Sequence, residues 1–174
     1  MRQTNMSRLG AVDVYSDSRA LGMLGFFQDQ DNTNPEAIVP VSATPIKAVY
    51  VMNDSGGTLA PGLGVKYKSG YAGLRVDSTT SANGICDGVV DPFLANAVPN
   101  GSYFWLIVQG PIDVEIGTGN IAAGDVVQTI ASGKFATGTA GTNPIGHCGK
   151  AIEAANSGSR ARVMLSLPFA AVQA

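Results

Sequence analysis

The sequence predicts an all-β protein, with one β-sandwich or β-barrel domain of jelly-roll-like character behind an extended N-terminal arm. Three observations lead to this fold class. Charged residues make up only 14% of the chain, against about 25% in a typical domain. The 22 glycines are nearly twice the usual share of about 7%. Short runs of β-branched and aromatic residues recur between turn residues, a spacing that is typical of sandwiches and barrels.

Strand candidates recur along the predicted domain, and the strongest of them is Tyr103–Gln109. The others are Ile46–Met52, Leu59–Tyr67, Ala72–Val76, Ile85–Val90, Ile112–Ile116, Asp125–Ile130, Ile145–Ile152 and Arg160–Leu167. Gly110-Pro111 is predicted to end the central strand, because proline removes a backbone donor. The one helical turn we expect spans Ala151–Ala155.

Residues 1–45 differ from residues 46–174, and we interpret them as an arm that precedes the β domain. They lack a sustained alternating pattern, and Pro35, Pro40 and Pro45 each restrict the backbone around them. The arm nevertheless carries an apolar cluster, which is costly to leave in water. We expect this cluster to dock either on its own domain or on a neighbour. Its members, the predicted partner-binding residues, are Leu21, Met23, Leu24, Phe26 and Phe27.

Charge and hydropathy argue against two classes of partner. The net charge is −2 without any basic run, whereas a nucleic-acid binder usually shows a Lys/Arg patch. No apolar stretch approaches the roughly 20 residues that span a bilayer, and Met1–Tyr15 lacks the apolar core of a signal peptide. We therefore expect no direct nucleic-acid contact and no membrane contact. Cys86 and Cys148 are expected to be free thiols in a reducing cytoplasm.

The polar residues do not form a recognisable catalytic, cofactor or metal pattern. His147 and Cys148 are neighbours, but adjacent strand residues point to opposite faces, and a structural zinc site needs about four Cys/His ligands. Asp87 and Asp91 are more simply turn residues than a catalytic pair. Trp105 could stack on a sugar or a base, but we assign it, with Phe104, to the core or to a subunit interface. The sequence therefore predicts a non-enzymatic protein without catalytic, cofactor-binding or metal-binding residues.

Several blocks of the domain, over about residues 46–169, resemble the head decoration and cement proteins of tailed bacteriophages. These blocks are Gly88–Phe93, Tyr103–Pro111, Ala123–Val127, Ile145–Ala155 and Arg160–Leu167. The most distinctive of them reads Phe-Trp-Leu-Ile-Val-x-Gly-Pro. The long arm departs from the shorter members of this family.

The resemblance implies a structural virion protein that decorates and stabilises the capsid. Proteins of this family are β-barrel or β-sandwich domains, often trimeric, that sit where capsomers meet. The expected partners are the major capsid protein and further copies of the chain, with a trimer favoured. The expected location is the capsid exterior, reached from the host cytoplasm during assembly. The alternative function is a fibre- or tail-associated module that binds a receptor or a glycan.

Overall fold

Twelve strands and one short 3-10 turn make up the regular structure of the described residues. The computed structural model describes residues 20–27, 44–78, 85–138 and 147–167, together with the backbone of residues 30–31 and 39–40. The strands are β1 Leu24–Phe27, β2 Gln30–Asp31, β3 Val39–Pro40, β4 Ile46–Asn53, β5 Gly64–Tyr67, β6 Arg75–Ser78, β7 Gly88–Val90, β8 Tyr103–Glu115, β9 Val126–Thr129, β10 Phe135–Thr137, β11 His147–Ala151 and β12 Arg160–Ser166. The predicted all-β class is confirmed.

Five strands close into a ring through their hydrogen-bond pairings. The order is β4–β6–β5–β7–β8, and β8 pairs again with β4. All of these pairings are antiparallel except β4–β6, which is parallel. Closure removes the free edges that an open sheet would expose, so the structure favours the barrel over the sandwich. We call these five strands the first ring. Its core is Val51, Leu59, Val65, Val76, Val90, Leu94, Val98, Phe104 and Leu106.

Strand β8 runs without interruption through Gly110-Pro111, so the prediction that this pair ends the strand is wrong. The register with β4 shifts so that Lys47 faces Gln109 while Ala48 faces Ile107, which leaves Val108 as an extra residue in a bulge. Gly110 has a φ of +108°, and a Cβ there would lie 2.7 Å from the Pro45 carbonyl oxygen. The glycine therefore lets the strand continue where another residue would clash.

The second half of β8 belongs to another group of strands, in the order β8–β12–β11–β9–β10. A bridge between Ile116 and Phe135 brings the end of β8 back beside β10. We call this group the second ring. Its strands share a large core with the outer side of the first ring. That core is Phe27, Ile46, Ala48, Cys86, Val89, Ile107, Ile112, Val114, Ile116, Ile121, Val127, Phe135, Cys148, Ala151, Ala161, Val163 and Leu165.

The two rings approach each other closely at Gly64 on β5. A Cβ at this position would lie 2.7 Å from Thr129 Cγ2 and 3.0 Å from the Phe135 ring. Since real Cβ contacts are almost never that short, the absence of a side chain at Gly64 sets the distance between the rings. The rings therefore form one packed body with a shared strand and a shared core.

Two expectations about local structure need correction or refinement. The predicted helical turn Ala151–Ala155 is wrong, because Ala151 ends β11 and Ala155 forms a β-bridge with Ile121. In this bridge each residue's N–H donates to the other's carbonyl, with N–H···O distances of 2.9 Å from Ile121 and 3.0 Å from Ala155. In the segment predicted as an arm, β1 is a strand of the main sheet, and β2 pairs with β3 in a separate two-stranded sheet.

Candidate functional site

The candidate site is built on β1, which lies at one end of a ten-stranded sheet with the order β1–β4–β6–β5–β7–β8–β12–β11–β9–β10. β1 lies antiparallel to the first half of β4, with Leu24 opposite Val49 and Phe27 opposite Ile46. Two backbone bonds extend the ladder: Tyr50 N–H donates to the Met23 carbonyl, and Gly22 N–H donates to the Tyr50 carbonyl, both at 2.9 Å. The apolar cluster predicted from the sequence is therefore tied to its own domain by backbone hydrogen bonds.

One side of β1 joins a row of aromatic side chains on the outer face of the first ring. The Phe27 ring meets Trp105 edge to face, with centroids 5.3 Å apart and an interplanar angle of 74°. Trp105 meets Tyr50 in the same manner at 5.3 Å, and Tyr50 stacks on Tyr103 at 6.1 Å. Phe27 is 9% exposed and belongs to the shared core. This row fastens β1 to β4 and β8 by side-chain contacts.

The other side of β1 presents large apolar side chains to solvent. On that side Leu24 is 46% exposed and Phe26 63%, while Met23, the residue just before β1, is 49% exposed. Leu74, which is 41% exposed, lies beside this strand, since its Cδ2 is 3.0 Å from the Cβ position of Gly22. We call Met23, Leu24, Phe26 and Leu74 the apolar edge patch. Large apolar side chains exposed along an ordered strand are typical of an interaction site.

The structure separates the five predicted partner-binding residues. Met23, Leu24 and Phe26 lie in the apolar edge patch, Leu21 is half-buried, and Phe27 is part of the protein's own core. Sequence reasoning missed Leu74, because it fell inside the predicted strand Ala72–Val76. The observed strand β6 begins at Arg75, three residues after the predicted start, and Leu74 lies in the turn before it. The sequence feature that could have identified Leu74 is a bulky apolar residue next to a glycine, Gly73, in a turn.

The side chains that are reactive enough for catalysis have structural roles here. Cys148 is fully buried and its thiol contacts that of Cys86. The Asp87 carboxylate accepts the N–H of Tyr67 at 2.6 Å, and Asp91 accepts the N–H of Phe93 at 2.9 Å. The second bond is the side-chain-to-backbone bond expected of an aspartate in a turn. Among the described residues, no group of three His, Cys, Asp or Glu side chains is placed to hold a metal ion.

Burial raises the pKa of three aspartates, Asp87, Asp91 and Asp113; the last two also lie near arginines. It raises the pKa of Asp91 to about 6, although the Phe93 N–H and the nearby Arg160 oppose the change. Burial also raises the pKa of Asp113, against the attraction of Arg162, whose guanidinium nitrogen lies 3.3 Å from the carboxylate. Both side chains face structural partners rather than a cavity.

A surface cleft of about 550 Å³ lies between the loop before β9 and the turn after β11. It is lined by Asn120, Ile121, Ala122, Asp125, Ala154, Ala155 and Asn156. Asp125 accepts hydrogen bonds from the Ala122 N–H at 3.0 Å and from the Thr137 hydroxyl at 3.1 Å. Asn120 accepts the Ser157 N–H at 3.1 Å. These polar groups hold the walls of the cleft in place.

Comparison with known proteins identifies a structural relative. No family model matches the chain, and no curated protein matches it. Among solved structures, the chain is similar to the N base of head fiber gp8.5 of bacteriophage phi29, with a TM-score of 0.52 and 20% sequence identity. The similarity covers 70% of this chain and 94% of the phage chain. At this identity the match establishes a shared all-β fold. No helix within the described ranges has the length and apolar character that a bilayer crossing requires.

Proposed function

We propose that this protein is a structural component of a phage virion that decorates the capsid exterior and bridges subunits of the major capsid protein. It would reach the shell from the host cytoplasm during assembly. The observation that carries the proposal is the apolar edge patch on β1, an exposed apolar surface on a strand that the domain itself holds in place. The fold shared with the base of a phage head fiber supports it.

The apolar edge patch suits a permanent contact for a physical reason. Burying apolar surface contributes about 25 cal/mol per Å², and the patch needs little ordering because β1 is already paired with β4. Among the described strands, β1 pairs on one side only. An extended segment of a capsid subunit could therefore add to its free edge by backbone hydrogen bonds.

A homo-oligomer, with a trimer favoured, would multiply this contact. Each added copy of the patch binds at high effective concentration once the first is engaged, so that avidity can exceed a single affinity by about 10²–10⁴. Light scattering of the purified chain tests this part of the proposal, and a monomer at every concentration would contradict it.

The attachment surface is tested by the triple variant Met23→Ser, Leu24→Ser, Phe26→Ser in co-sedimentation with shells of the cognate major capsid protein. We expect binding to fall by at least about tenfold, since three exposed apolar contacts would be lost. The matched control is Ile152→Ser, which changes a 45% exposed apolar residue on the second ring. Unchanged binding by the triple variant would contradict the proposal.

Deletion of residues 1–45 is a poorer test of attachment than these surface substitutions. The deletion would also remove Phe27 and β1, and so expose Trp105 and the open side of β4. Loss of binding would then follow from a damaged domain as well as from a missing contact.

A second candidate function is receptor or glycan binding by a fibre-associated module. The surface cleft favours it, because polar residues line it together with the apolar residues Ile121 and Ala155, a combination typical of small-molecule sites. Binding on a glycan array that is lost on Asn156→Ala, with capsid binding unaffected, would support this function. Absence of any glycan signal would leave attachment as the better explanation.

A further inference from the structure

The two cysteines of the chain meet in the core between the rings. Cys86 precedes β7 of the first ring, and Cys148 lies on β11 of the second ring. Both are buried, and both belong to the shared core. The Cys86 thiol donates to the Gly88 carbonyl at 3.4 Å. The hydrogen bond with the Cys148 thiol and the burial of the site raise the pKa of Cys86.

The backbone holds both sulfur atoms in place. The register between β11 and β9 passes from His147↔Gln128 to Gly149↔Val127, so Cys148 is the extra residue of a bulge. A bulge of this kind re-aims a side chain, and here the side chain is directed into the core. On the other side, the backbone next to Cys86 is fixed by a 2.8 Å bond from the Asp87 N–H to the Val65 carbonyl. Gly64 provides the space for the sulfur, because a Cβ there would lie 3.1 Å from Cys86 Sγ.

We propose that Cys86 and Cys148 are a latent disulfide, which closes on oxidation and links the first ring to the second by a covalent bond. In a reducing cytoplasm the pair stays as two thiols. If the protein is a virion component, as proposed above, the pair would close only after the particle leaves the cell.

A small peroxide is the class of oxidant that suits this buried site. One cysteine sulfur, as its thiolate, attacks a peroxide oxygen, the O–O bond breaks, and a sulfenic acid and water form once the released oxygen takes up a proton. The second sulfur then attacks the sulfenic sulfur, the S–S bond forms, and the sulfenic oxygen leaves as a second water. Two thiols and one hydrogen peroxide therefore give one disulfide and two waters, with two electrons passing from sulfur to oxygen. Because thiolate is the reactive form and is scarce when burial raises the pKa, the reaction is expected to be slow.

Closure should raise the thermal stability of the protein. The bond would join residues 86 and 148, and a link that closes a long loop restricts the unfolded chain strongly. We expect the midpoint of thermal unfolding to rise by about 5–15 °C.

The experiment treats the full, reduced chain with hydrogen peroxide, denatures it in acidic urea, alkylates it and measures its intact mass. We expect a monomer that has no thiol left to alkylate and whose mass, apart from oxygen added at methionine, is lower by about 2 Da for the two hydrogens lost. The reduced chain should show both of its thiols. The variants Cys86→Ala and Cys148→Ala, each with one thiol, should not show this loss and should gain oxygen instead.

A second measurement needs no variant. The chain is equilibrated in mixtures of reduced and oxidised glutathione, in buffer and in urea. A disulfide that stabilises the fold is in turn stabilised by folding. The folded chain should therefore be half-oxidised at a ratio of oxidised to reduced glutathione at least about tenfold lower than the ratio that half-oxidises the chain in urea. A folded chain that stays reduced while the urea-unfolded chain forms its disulfide would overturn the proposal, as would peroxide products whose cysteines carry added oxygen and no disulfide. Neither result would affect the capsid-binding test.

Discussion

Asp91 is a buried carboxylate at the end of β7, where its side chain turns back to the Phe93 N–H. Its pKa of about 6 in the folded protein lies above the value of about 3.9 in an unfolded chain. The folded state therefore holds the Asp91 proton more tightly than the unfolded state does. This contribution to the free energy of unfolding is largest below about pH 4, falls as the pH rises to about 6, and is constant above that.

The variant Asp91→Asn tests this dependence. The amide keeps an oxygen for the Phe93 N–H but does not ionise, so we expect a higher free energy of unfolding at pH 7, by up to about 3 kcal/mol. Lost attraction to Arg160 reduces this gain. Urea unfolding at pH 4 and pH 7 measures both proteins, and the variant should lose less stability between the two. An equal loss of stability in the two proteins would mean that other groups, such as Asp113, cause the pH dependence.

Within the single strand β1, the two phenylalanines have different roles. We expect Phe27→Ala to lower the free energy of unfolding by about 3 kcal/mol, because it removes a ring that packs on Trp105. Phe26→Ala, at the neighbouring and 63% exposed position, should change it by less than about 0.5 kcal/mol. Urea unfolding checks the pair. Similar losses for both would mean that β1 is not seated on β4 in solution.

The strands that the sequence predicts well are those with long β-branched or alternating runs. Ile46–Met52 was predicted and Ile46–Asn53 is observed, and Arg160–Leu167 corresponds to β12, Arg160–Ser166. Such runs carry their own strand preference and one buried face. The continuation of β8 through Gly110-Pro111 was not predictable, because it depends on a bulge that forms against β4 and on the nearby Pro45 carbonyl.

The sequence predicts which residues make up the candidate site, but not which of their side chains point into the core and which point to solvent. The apolar cluster around residues 21–27 stands out in the sequence, and the cost of exposing it indicates that it must dock. Which side chains face inward depends on the register between β1 and β4, and a shift of one residue would exchange Phe26 with Phe27. The contact that fixes this register is made by Trp105, which is 78 residues beyond Phe27 and has no local signal.

At the scale of the whole molecule, β8 contributes to both rings and both cores. Opening either ring would strip partners from the same strand, so we expect the two rings to unfold together. Scanning calorimetry should show one transition, with a calorimetric enthalpy equal to the van't Hoff enthalpy. Two resolved transitions would contradict this expectation. The measurement should use the reduced protein, since the proposed disulfide would couple the rings by itself.

Closure of the first ring also has a consequence for a protein that is present in many copies at high local density. A long open sheet offers unpaired backbone groups on which other chains can polymerise. Here β4, β5, β6, β7 and β8 pair with one another around a closed ring. Beside this ring, in the part of the chain that the structure describes, the short outer edge of β1 is left for strand addition. If that edge is covered on a particle surface, copies bound there would be protected from aggregation by strand addition. Unassembled copies, whose edge stays open, would be the ones at risk of forming fibrils.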